Sequence, residues 1–343
     1  MSTWATLSQD EAFARIRLLR SPNVGPVTYA QLLARFGDAQ AAIEALPDLA
    51  GRAGKPYSAA PPEHIHEEIA AVRKAGARYL FHDSAGYPPL LAAIEGAPPV
   101  LTVRGDAGLF AVVSGLARGI DGAAHEGALA AGEGGSTIGV IASGIDVAYP
   151  PQHAALQERI AQEGLLIAEQ PPGTEPLARN FPTRNRIIAG LAVGTLVVEA
   201  APKSGSLITA RLAGEMGREV MAVPGSPLDA RSHGCNQLIR DGAVLVQSVE
   251  DVAELLSSFG GAPRPMPSRP MPPGRALVRE EDGEGIVDDS PVSVAGLLTS
   301  APVSVDELIR QSGASASAVQ LALLELEIAG RLVRHAAGRV SLA

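Results

Sequence analysis

Short apolar runs alternate with helical segments from Ala111 to Val246, and this alternation limits the fold more than any other feature of the sequence. Continuous apolar runs indicate strands that are buried on both faces, and the helices between them supply the cover. We therefore predict an α/β domain with a Rossmann-like, doubly wound and mostly parallel sheet. The predicted strands are residues 111–113, 138–141, 165–168, 195–198, 220–223 and 244–246.

In such a sheet ligands bind beyond the carboxyl ends of the strands, so the loops there are where a site is expected. The loop SGLARGID, residues 114–121, follows a strand and opens a helix, an arrangement in which backbone N–H groups can contact phosphate. It matches neither a Walker A loop nor a GxGxxG sequence, and taken alone it fits an ordinary strand-to-helix turn equally well. Its candidate binding residues are Ser114, Gly115, Arg118 and Gly119.

Positive charge gathers in the later stretch 178–211. Five cations stand there against the single acid Glu199, a local balance of +4 in a chain of net charge −9. An acidic protein with cations at its loops is suited to binding an anion there. An aromatic ring among the cations suits a ligand that also has flat parts. The candidates are Asn180, Phe181, Arg184, Asn185 and Arg186, with Lys203, Ser204 and Gly205 in a turn that opens the next helix, whose positive end favours phosphate.

Two smaller domains are predicted to flank this one. Residues 1–88 form a small helical domain of the SAM or helix-hairpin-helix type, whose turn at Val24-Gly25-Pro26 either contacts a phosphate or only joins packed helices. The Rossmann-like domain covers 89–256, with 100–103 as a candidate edge strand, and a flexible proline-rich linker covers 257–290. Residues 291–343 fit a winged helix.

The second main helix of the predicted winged helix, around residues 316–328, is the one that would read a DNA groove. It carries Glu325 and Glu327 and no cation. A reading helix normally directs basic or amide side chains toward bases and phosphates. The composition therefore favours a protein contact or a capping role over DNA reading.

Cysteine usage and apolar runs indicate the compartment. Cys235 is the only cysteine, which excludes an intramolecular disulfide and a cysteine-rich metal site. The N-terminus does not resemble a secretory signal, and no segment approaches the roughly 18 apolar residues of a membrane span. We expect a cytoplasmic protein without a cofactor.

Several motifs, taken together, carry a specific resemblance over residues 111 to 256. They are SGLARGID, GIDVAYP, FPTRNRIIAGL, VVEA, SGSLITA, VPG and the spaced residues Ser232, Gly234, Asn236 and Ile239. In this order they resemble the DNA-processing protein A family, also called Smf. The resemblance implies a bacterial protein of natural transformation that binds incoming single-stranded DNA, forms a homodimer and helps to load a RecA-type recombinase. It also implies a basic DNA pocket with Arg118, Phe181, Arg184, Arg186 and Lys203.

One departure from the family pattern concerns the start of this domain. Family members usually have a further strand, a Gly-Ser-Arg turn and a helix before SGLARGID, whereas here RGDAGLF runs directly into AVVSG. The loss of a whole strand and helix would expose a strand edge and remove an anion-binding turn. Either the sequence omits a segment between Phe110 and Ala111, or this member binds DNA less well.

Two other classes of function compete with a single-strand binder. A nucleotide-binding enzyme of the phosphoribohydrolase-like group would need a motif similar to PGGxGTxxE, where this chain has PGSPLD at residues 224–229. Glu199 is the only acid expected near the pocket, and its expected role is to hold Arg184 or Arg186 in place. A pure adaptor would leave the gathered cations unexplained. We therefore predict a DNA-binding protein that is not an enzyme.

Overall fold

The fold is described from a computed structural model. It covers residues 7–52, 56–106, 111–132, 135–257, 294–335 and 338–343. The described residues divide into two compact units, one with residues 66–257 and the other with residues 7–65 and 294–343. The predicted linker at 257–290 lies almost wholly outside the described residues, and so does Phe110 at the departure from the family pattern.

The N-terminal region is helical, as its apolar spacing predicts. Ser8 caps the first helix, because its Oγ accepts a hydrogen bond from the N–H of Glu11. Gly37 ends the second helix with a φ of +87°, which glycine adopts readily. The helices are α1 (Gln9–Arg20), α2 (Pro26–Phe36), α3 (Ala39–Arg52) and α4 (Pro62–Lys74).

Strands and helices then alternate through the unit of residues 66–257. The first elements are β1 (Arg78–Phe81), α5 (Pro89–Ala92), β2 (Val100–Gly105), β3 (Val112–Ser114), α6 (Ile120–Ala130), β4 (Thr137–Gly144), α7 (Ala154–Glu163) and β5 (Leu165–Gln170). The following elements are α8 (Asn180–Leu191), β6 (Gly194–Val197), α9 (Gly205–Glu215), β7 (Glu219–Ala222), α10 (His233–Arg240), β8 (Val244–Leu245) and α11 (Val249–Ser257).

The described strands of this unit form two sheets. One has five strands in the order β1-β2-β5-β4-β3, and the other has three in the order β6-β7-β8. The pairs β3–β4, β4–β5, β6–β7 and β7–β8 are parallel, while β1–β2 and β2–β5 are antiparallel. The prediction of an edge strand at 100–103 is wrong, because β2 pairs with β1 on one side and with β5 on the other.

Four described strands of this unit end a sheet, namely β1 and β3 in the larger sheet and β6 and β8 in the smaller one. β3 ends the larger sheet with Val112 exposed, and β6 ends the smaller one with Leu196 exposed. Helix α8 packs on β4, on β3 and on α9, so it contacts the larger sheet and the helix that follows β6.

The C-terminal residues form a winged helix, as predicted. Ser304 and Ser315 cap its two longer helices by accepting bonds from the N–H groups of Glu307 and Ala318. The elements are α12 (Val294–Leu297), β9 (Val303–Ser304), α13 (Val305–Ser312), α14 (Ala316–Ile328), β10 (Leu332–His335) and β11 (Arg339–Leu342). The predicted class of a mostly parallel α/β domain with a helical N-terminal part and a winged helix is confirmed.

Candidate functional site

A cleft of about 380 Å³ opens where β3 and β4 end, at the carboxyl ends of parallel strands. Four of the predicted binding residues line it, namely Gly115, Arg118, Phe181 and Arg184. They come from two segments that are far apart in the chain, the loop after β3 and the first turns of α8. These two segments meet at this cleft, whereas the third predicted segment, the turn at Lys203, does not line it.

The guanidinium of Arg184 forms the most unusual part of the cleft wall. The side chain is buried, with 7% of its surface exposed, and it donates a short hydrogen bond from Nη1 to the carbonyl oxygen of Val140. Its Nε has no hydrogen-bond partner, and no described carboxylate forms an ion pair with it. Burial lowers the pKa of Arg184 to about 10, and the charge of Asp121 opposes this shift in part. A buried cation without a paired anion favours an anionic ligand.

Gly115 is required for this position of the guanidinium. A Cβ atom at residue 115 would overlap the guanidinium, lying only 2.7 Å from Nη2 of Arg184. No side chain fits there unless the arginine moves away. The absence of a side chain at Gly115 therefore lets Arg184 reach the strand end and the cleft.

Hydrogen bonds from two side chains and the burial of Leu116 hold the loop after β3 in place. Asp121 Oδ2 accepts hydrogen bonds from the N–H groups of Gly115 and Ala117, each at 3.1 Å. The side chain of Leu116 is fully buried although its φ is +58°, and its carbonyl oxygen accepts a 2.9 Å bond from Nδ1 of His153. Two backbone N–H groups that were expected to face a phosphate thus bind the chain's own carboxylate.

His125 lies fully buried near this loop. Its Nδ1 is 2.6 Å from Oγ1 of Thr137, whose hydroxyl proton is used in a bond to the carbonyl of Val112. Nδ1 must therefore carry the ring proton and donate it to Thr137. Nε2 is buried without a hydrogen-bond partner. Burial lowers the pKa of His125 to about 4, opposed by Asp121 and aided by His153 and Arg184.

Aromatic rings form another wall of the cleft. Phe181 is half-buried, and its ring meets that of Tyr149 edge to face, with the centroids 5.6 Å apart and the planes at 62°. Arg184 Cζ lies 5.9 Å from the centroid of Phe181. Tyr149 has 44% of its surface exposed, so its ring is accessible to a ligand. A flat group can reach aromatic and cationic surfaces at this cleft together.

The other predicted residues of α8 do not line the cleft, and two of them, Asn180 and Arg186, have partners within the fold. Asn180 is buried and donates from Nδ2 to the carbonyl of Ala142 at 3.2 Å. Arg186 forms an ion pair with Glu169, in which both side chains are 16% exposed. Asn185 is half-buried on the same helix. Part of the positive charge that the composition indicated is thus neutralised within the fold.

The turn before α9 also stays outside the lining of this cleft. Lys203 is exposed and has a left-handed φ of +69°, Ser204 caps α9 by accepting from the N–H of Ser206, and Gly205 begins the helix. Ser114 ends β3, and Gly119, with a φ of +83°, precedes α6. Arg118 extends into solvent and donates to Oε1 of Gln152 at 3.1 Å.

The expected role of Glu199 is wrong. Its carboxylate lies 3.7 Å from Nη1 of Arg231 and forms no described pair with Arg184 or Arg186. Arg231 also pairs with Asp229 at 2.9 Å. The acid that holds Arg186 is Glu169, at the end of β5. Strand-end position did not distinguish the two glutamates, because both follow apolar strands.

Two contributors to the cleft were not predicted. Tyr149 lies in the loop after β4, which the strand pattern had marked as part of the site without singling out a residue. An aromatic residue in such a loop is the signal that could have identified it. Asp121 belongs to the SGLARGID motif, but its bonds to Gly115 and Ala117 depend on a loop geometry that spacing does not specify.

No group of three or more potential metal ligands occurs in the described parts of the chain. The loop at 224–229 is where a phosphoribohydrolase-like enzyme would need its motif. Here the N–H and carbonyl of Gly225 both bond to the side-chain amide of Asn236, at 3.1 and 2.9 Å. None of the helices in these same parts is long and apolar enough to span a bilayer.

Comparison with known proteins identifies the same three regions. Residues 107–257 match the family model described as DNA recombination-mediator protein A. Residues 9–71 match a DprA-like N-terminal HHH domain, and residues 279–338 match a DprA winged helix domain. The order of these matches agrees with the helical, α/β and winged-helix parts of the fold.

Individual relatives match this chain over different lengths. The DNA processing protein DprA of Bacillus subtilis is 39% identical over 222 residues, which cover 55% of this chain and 74% of the relative. DprA of Streptococcus pneumoniae is 54% identical over 141 residues, 41% of this chain and 49% of the relative. Protein Smf of Synechocystis is 49% identical over 45% of this chain, and the chain spans only 37% of that protein.

The X-ray structure of DprA from Streptococcus pneumoniae resembles the fold, with a TM-score of 0.58 and 32% identity over 73% of this chain and 98% of that one. Fold and cleft together define a Rossmann-like protein with flanking helical and winged-helix parts and a cationic, aromatic cleft at the strand ends. The chain belongs to the DNA-processing protein A family, also named DprA or Smf.

Proposed function

We propose that this chain binds single-stranded DNA, with a phosphate group at Arg184 and a base against Phe181 and Tyr149. The observation that carries the proposal is the buried, unpaired guanidinium of Arg184 beside these rings. A single strand offers backbone charge together with unstacked bases, whereas a duplex keeps its bases stacked inside. Aromatic stacking tolerates every base because each has a π face.

Family membership supports a role that is not enzymatic. We propose that the chain acts in the cytoplasm during natural transformation, forms a homodimer, and helps to load a RecA-type recombinase onto the bound strand. The family description as a recombination mediator supports this assignment. Bases held by ring contacts, without base-specific hydrogen bonds, would suit a protein that must accept any incoming sequence.

The test is fluorescence anisotropy of the full chain with single-stranded and double-stranded oligonucleotides over a range of lengths and salt concentrations. We expect tighter binding to single strands, increasing with length and independent of sequence. Arg184→Met should raise the Kd at least about tenfold, since a hydrogen bond to a charged group is worth about 1.5–3 kcal/mol. It should also lower the salt slope by about 0.7 for the phosphate contact that is lost.

Arg159→Met provides the matched control. Arg159 is an exposed arginine of α7 that pairs with Glu163 at 3.3 Å and does not line the cleft. Its loss should change neither the Kd nor the salt slope beyond about twofold. Equal effects of the two substitutions would contradict the proposed site, and equal affinity for both forms of DNA would contradict the proposed ligand.

A further inference from the structure

Helix α14 of the winged helix is apolar on two faces. Val319, Leu323 and Leu326 lie three and four residues apart and are buried in the core of the winged helix itself. Leu324 and Ile328, also four apart, lie on a second stripe and belong to a different cluster. A helix that is apolar around much of its circumference must be covered on more than one side.

The second stripe of α14 packs against the N-terminal helices within the same compact unit. Leu324 is 3% exposed and Ile328 is fully buried. Their cluster includes Leu18 of α1, Leu32 of α2 and Leu46 of α3. The packing of α14 on α3 is the most extensive contact between the two regions.

Polar contacts surround this apolar centre. Arg52 Nη1 lies 3.2 Å from Oε1 of Glu325, and Gln31 Nε2 donates to Oε1 of Gln320 at 3.4 Å. At the end of α14 the side chain of Asn23 donates from Nδ2 to the carbonyl of Ile328 at 2.9 Å. An apolar centre with a polar rim is the usual anatomy of a protein–protein interface.

The strand after α14 adds a further contact. Arg334 of β10 binds Glu327 at 2.8 Å through Nε and donates from Nη2 to Oε1 of Gln31 at 3.3 Å. Both glutamates of the helix, which make it unsuited to DNA, therefore have arginine partners. Charge complementarity at Arg52 and Glu325 joins the two regions directly.

We propose that the winged helix is a protein-docking module and that its partner is the N-terminal helical domain of the same chain. The helix that would enter a DNA groove in related architectures is used here to cover the apolar face of α1, α2 and α3. DNA reading by α14 would require Leu324 and Ile328 to leave this core and expose their side chains to water. The same contact places Ile328 against Asn23, in the turn between α1 and α2, so the hairpin turn is partly covered as well.

Cross-linking of the full chain tests this proposal. Gln31→Cys and Gln320→Cys would be combined in one chain, and a short bis-maleimide would be added. The native thiol of Cys235 is fully buried, so the two single variants report the background reaction. We expect a link within one chain, seen as a single-chain species on a denaturing gel and as a joined peptide pair by mass spectrometry.

Charge reversal supplies an independent control. Arg52→Glu should slow the cross-linking about two- to fivefold, because a partly exposed ion pair contributes modestly. Adding Glu325→Arg should restore the rate. Links between two chains would overturn the assignment to the same chain, and no link above the single-variant background would overturn the docking itself.

A DNA titration of the linked protein separates docking from DNA reading. We expect the link to leave the affinity for duplex and for single-stranded DNA unchanged within about twofold. A loss of duplex binding in the linked form would mean that α14 reads DNA when it is released. This outcome does not depend on whether the cleft at Arg184 binds single strands, so failure of either proposal can be recognised separately.

Discussion

The guanidinium of Arg184 fills the space that a side chain at Gly115 would need. The two residues are 69 positions apart in the chain, and they meet only because the loop after β3 and the first turns of α8 meet at the same strand ends. A change at one residue therefore acts on the other, and the pair behaves as one structural element of the cleft.

Gly115→Ala is expected to displace Arg184 and to weaken single-strand binding as much as Arg184→Met does. The two changes should not add in the double variant, because both remove the same contact. Fluorescence anisotropy of the two single variants and the double variant measures this. The matched control is Gly127→Ala, at a helical position with open space, which should leave binding unchanged and raise stability by up to about 1 kcal/mol. Additive losses in the double variant would mean that the residues act separately.

Phe181→Ala should cost about 1–3 kcal/mol of single-strand affinity through the loss of base stacking. Its ring is half-buried at the cleft, so the Tm should fall little. Phe81→Ala in β1 is the control, since that ring is 8% exposed and its removal should cost about 3–5 kcal/mol of stability without loss of affinity once folded. A large fall in Tm together with normal DNA binding for Phe181→Ala would assign its ring to the core.

Lys203→Gly tests a cation that the structure leaves outside the lining of the cleft. If Lys203 contacts a phosphate, its loss should flatten the salt dependence by about 0.7. Glycine suits the left-handed φ of +69°, and the strain that it relieves is opposed by its greater freedom in the unfolded chain. The Tm should therefore change little. Lys74→Ala, an exposed lysine at the end of α4, is the charge control. Identical salt slopes for wild type and Lys203→Gly would exclude the contact.

Stability should fall as the pH drops from about 6.5 to 4, because His125 is buried as a neutral ring. The folded-state pKa is about 4 and the ordinary value is 6.5, so over this interval the unfolded chain binds a proton that the folded chain does not. The contribution is fully present above pH 6.5 and is lost as the pH falls to 4. The gap between the ordinary value of 6.5 and a folded-state pKa of about 4 corresponds to roughly 3 kcal/mol of stability.

His125→Asn isolates this effect, because asparagine does not titrate and can donate to Thr137 in place of the ring. Urea unfolding of wild type and variant at several pH values gives the difference between their stabilities. That difference should shrink as the pH falls toward 4, when wild type loses its advantage. Parallel curves for the two proteins would mean that His125 is not the group responsible.

The sequence predicted the positions of strands better than it predicted which strands pair and which charged side chains meet. All six strands of the alternating region were anticipated, because apolar runs and the turns between them are local properties. Pairing is not local: β2 lies inside a sheet because β5 returns beside it, and this placed a predicted edge strand in the interior. The same limit explains Glu199 and Glu169, which both follow apolar strands. Only the folded arrangement determines which of them reaches Arg186.

Burial of charge was the least predictable property of the site. Arg184 and Arg186 are two residues apart in a sequence rich in cations, so composition alone does not show which of them is buried or paired. One is buried without a carboxylate partner, and the other is neutralised by Glu169. Helical geometry turns their side chains about 200° apart on α8, following the 3.6-residue period. The functional distinction between neighbouring cations thus arises from the direction in which each faces.

The three-stranded sheet β6-β7-β8 is expected to be the part of the α/β unit that opens most easily. Its core is built mainly from small side chains, including Ala200, Ala210, Ala222 and Cys235, whereas leucine and isoleucine fill the clusters around β4 and β5. Less apolar area is buried around the smaller sheet, and β8 contributes only two residues to it. Local opening should therefore begin there, with amide hydrogens of β6 to β8 exchanging with solvent sooner than those of β4 and β5. Lys203 would then lie in the part of the domain that opens first, whereas Arg184 contacts the sheet that opens later.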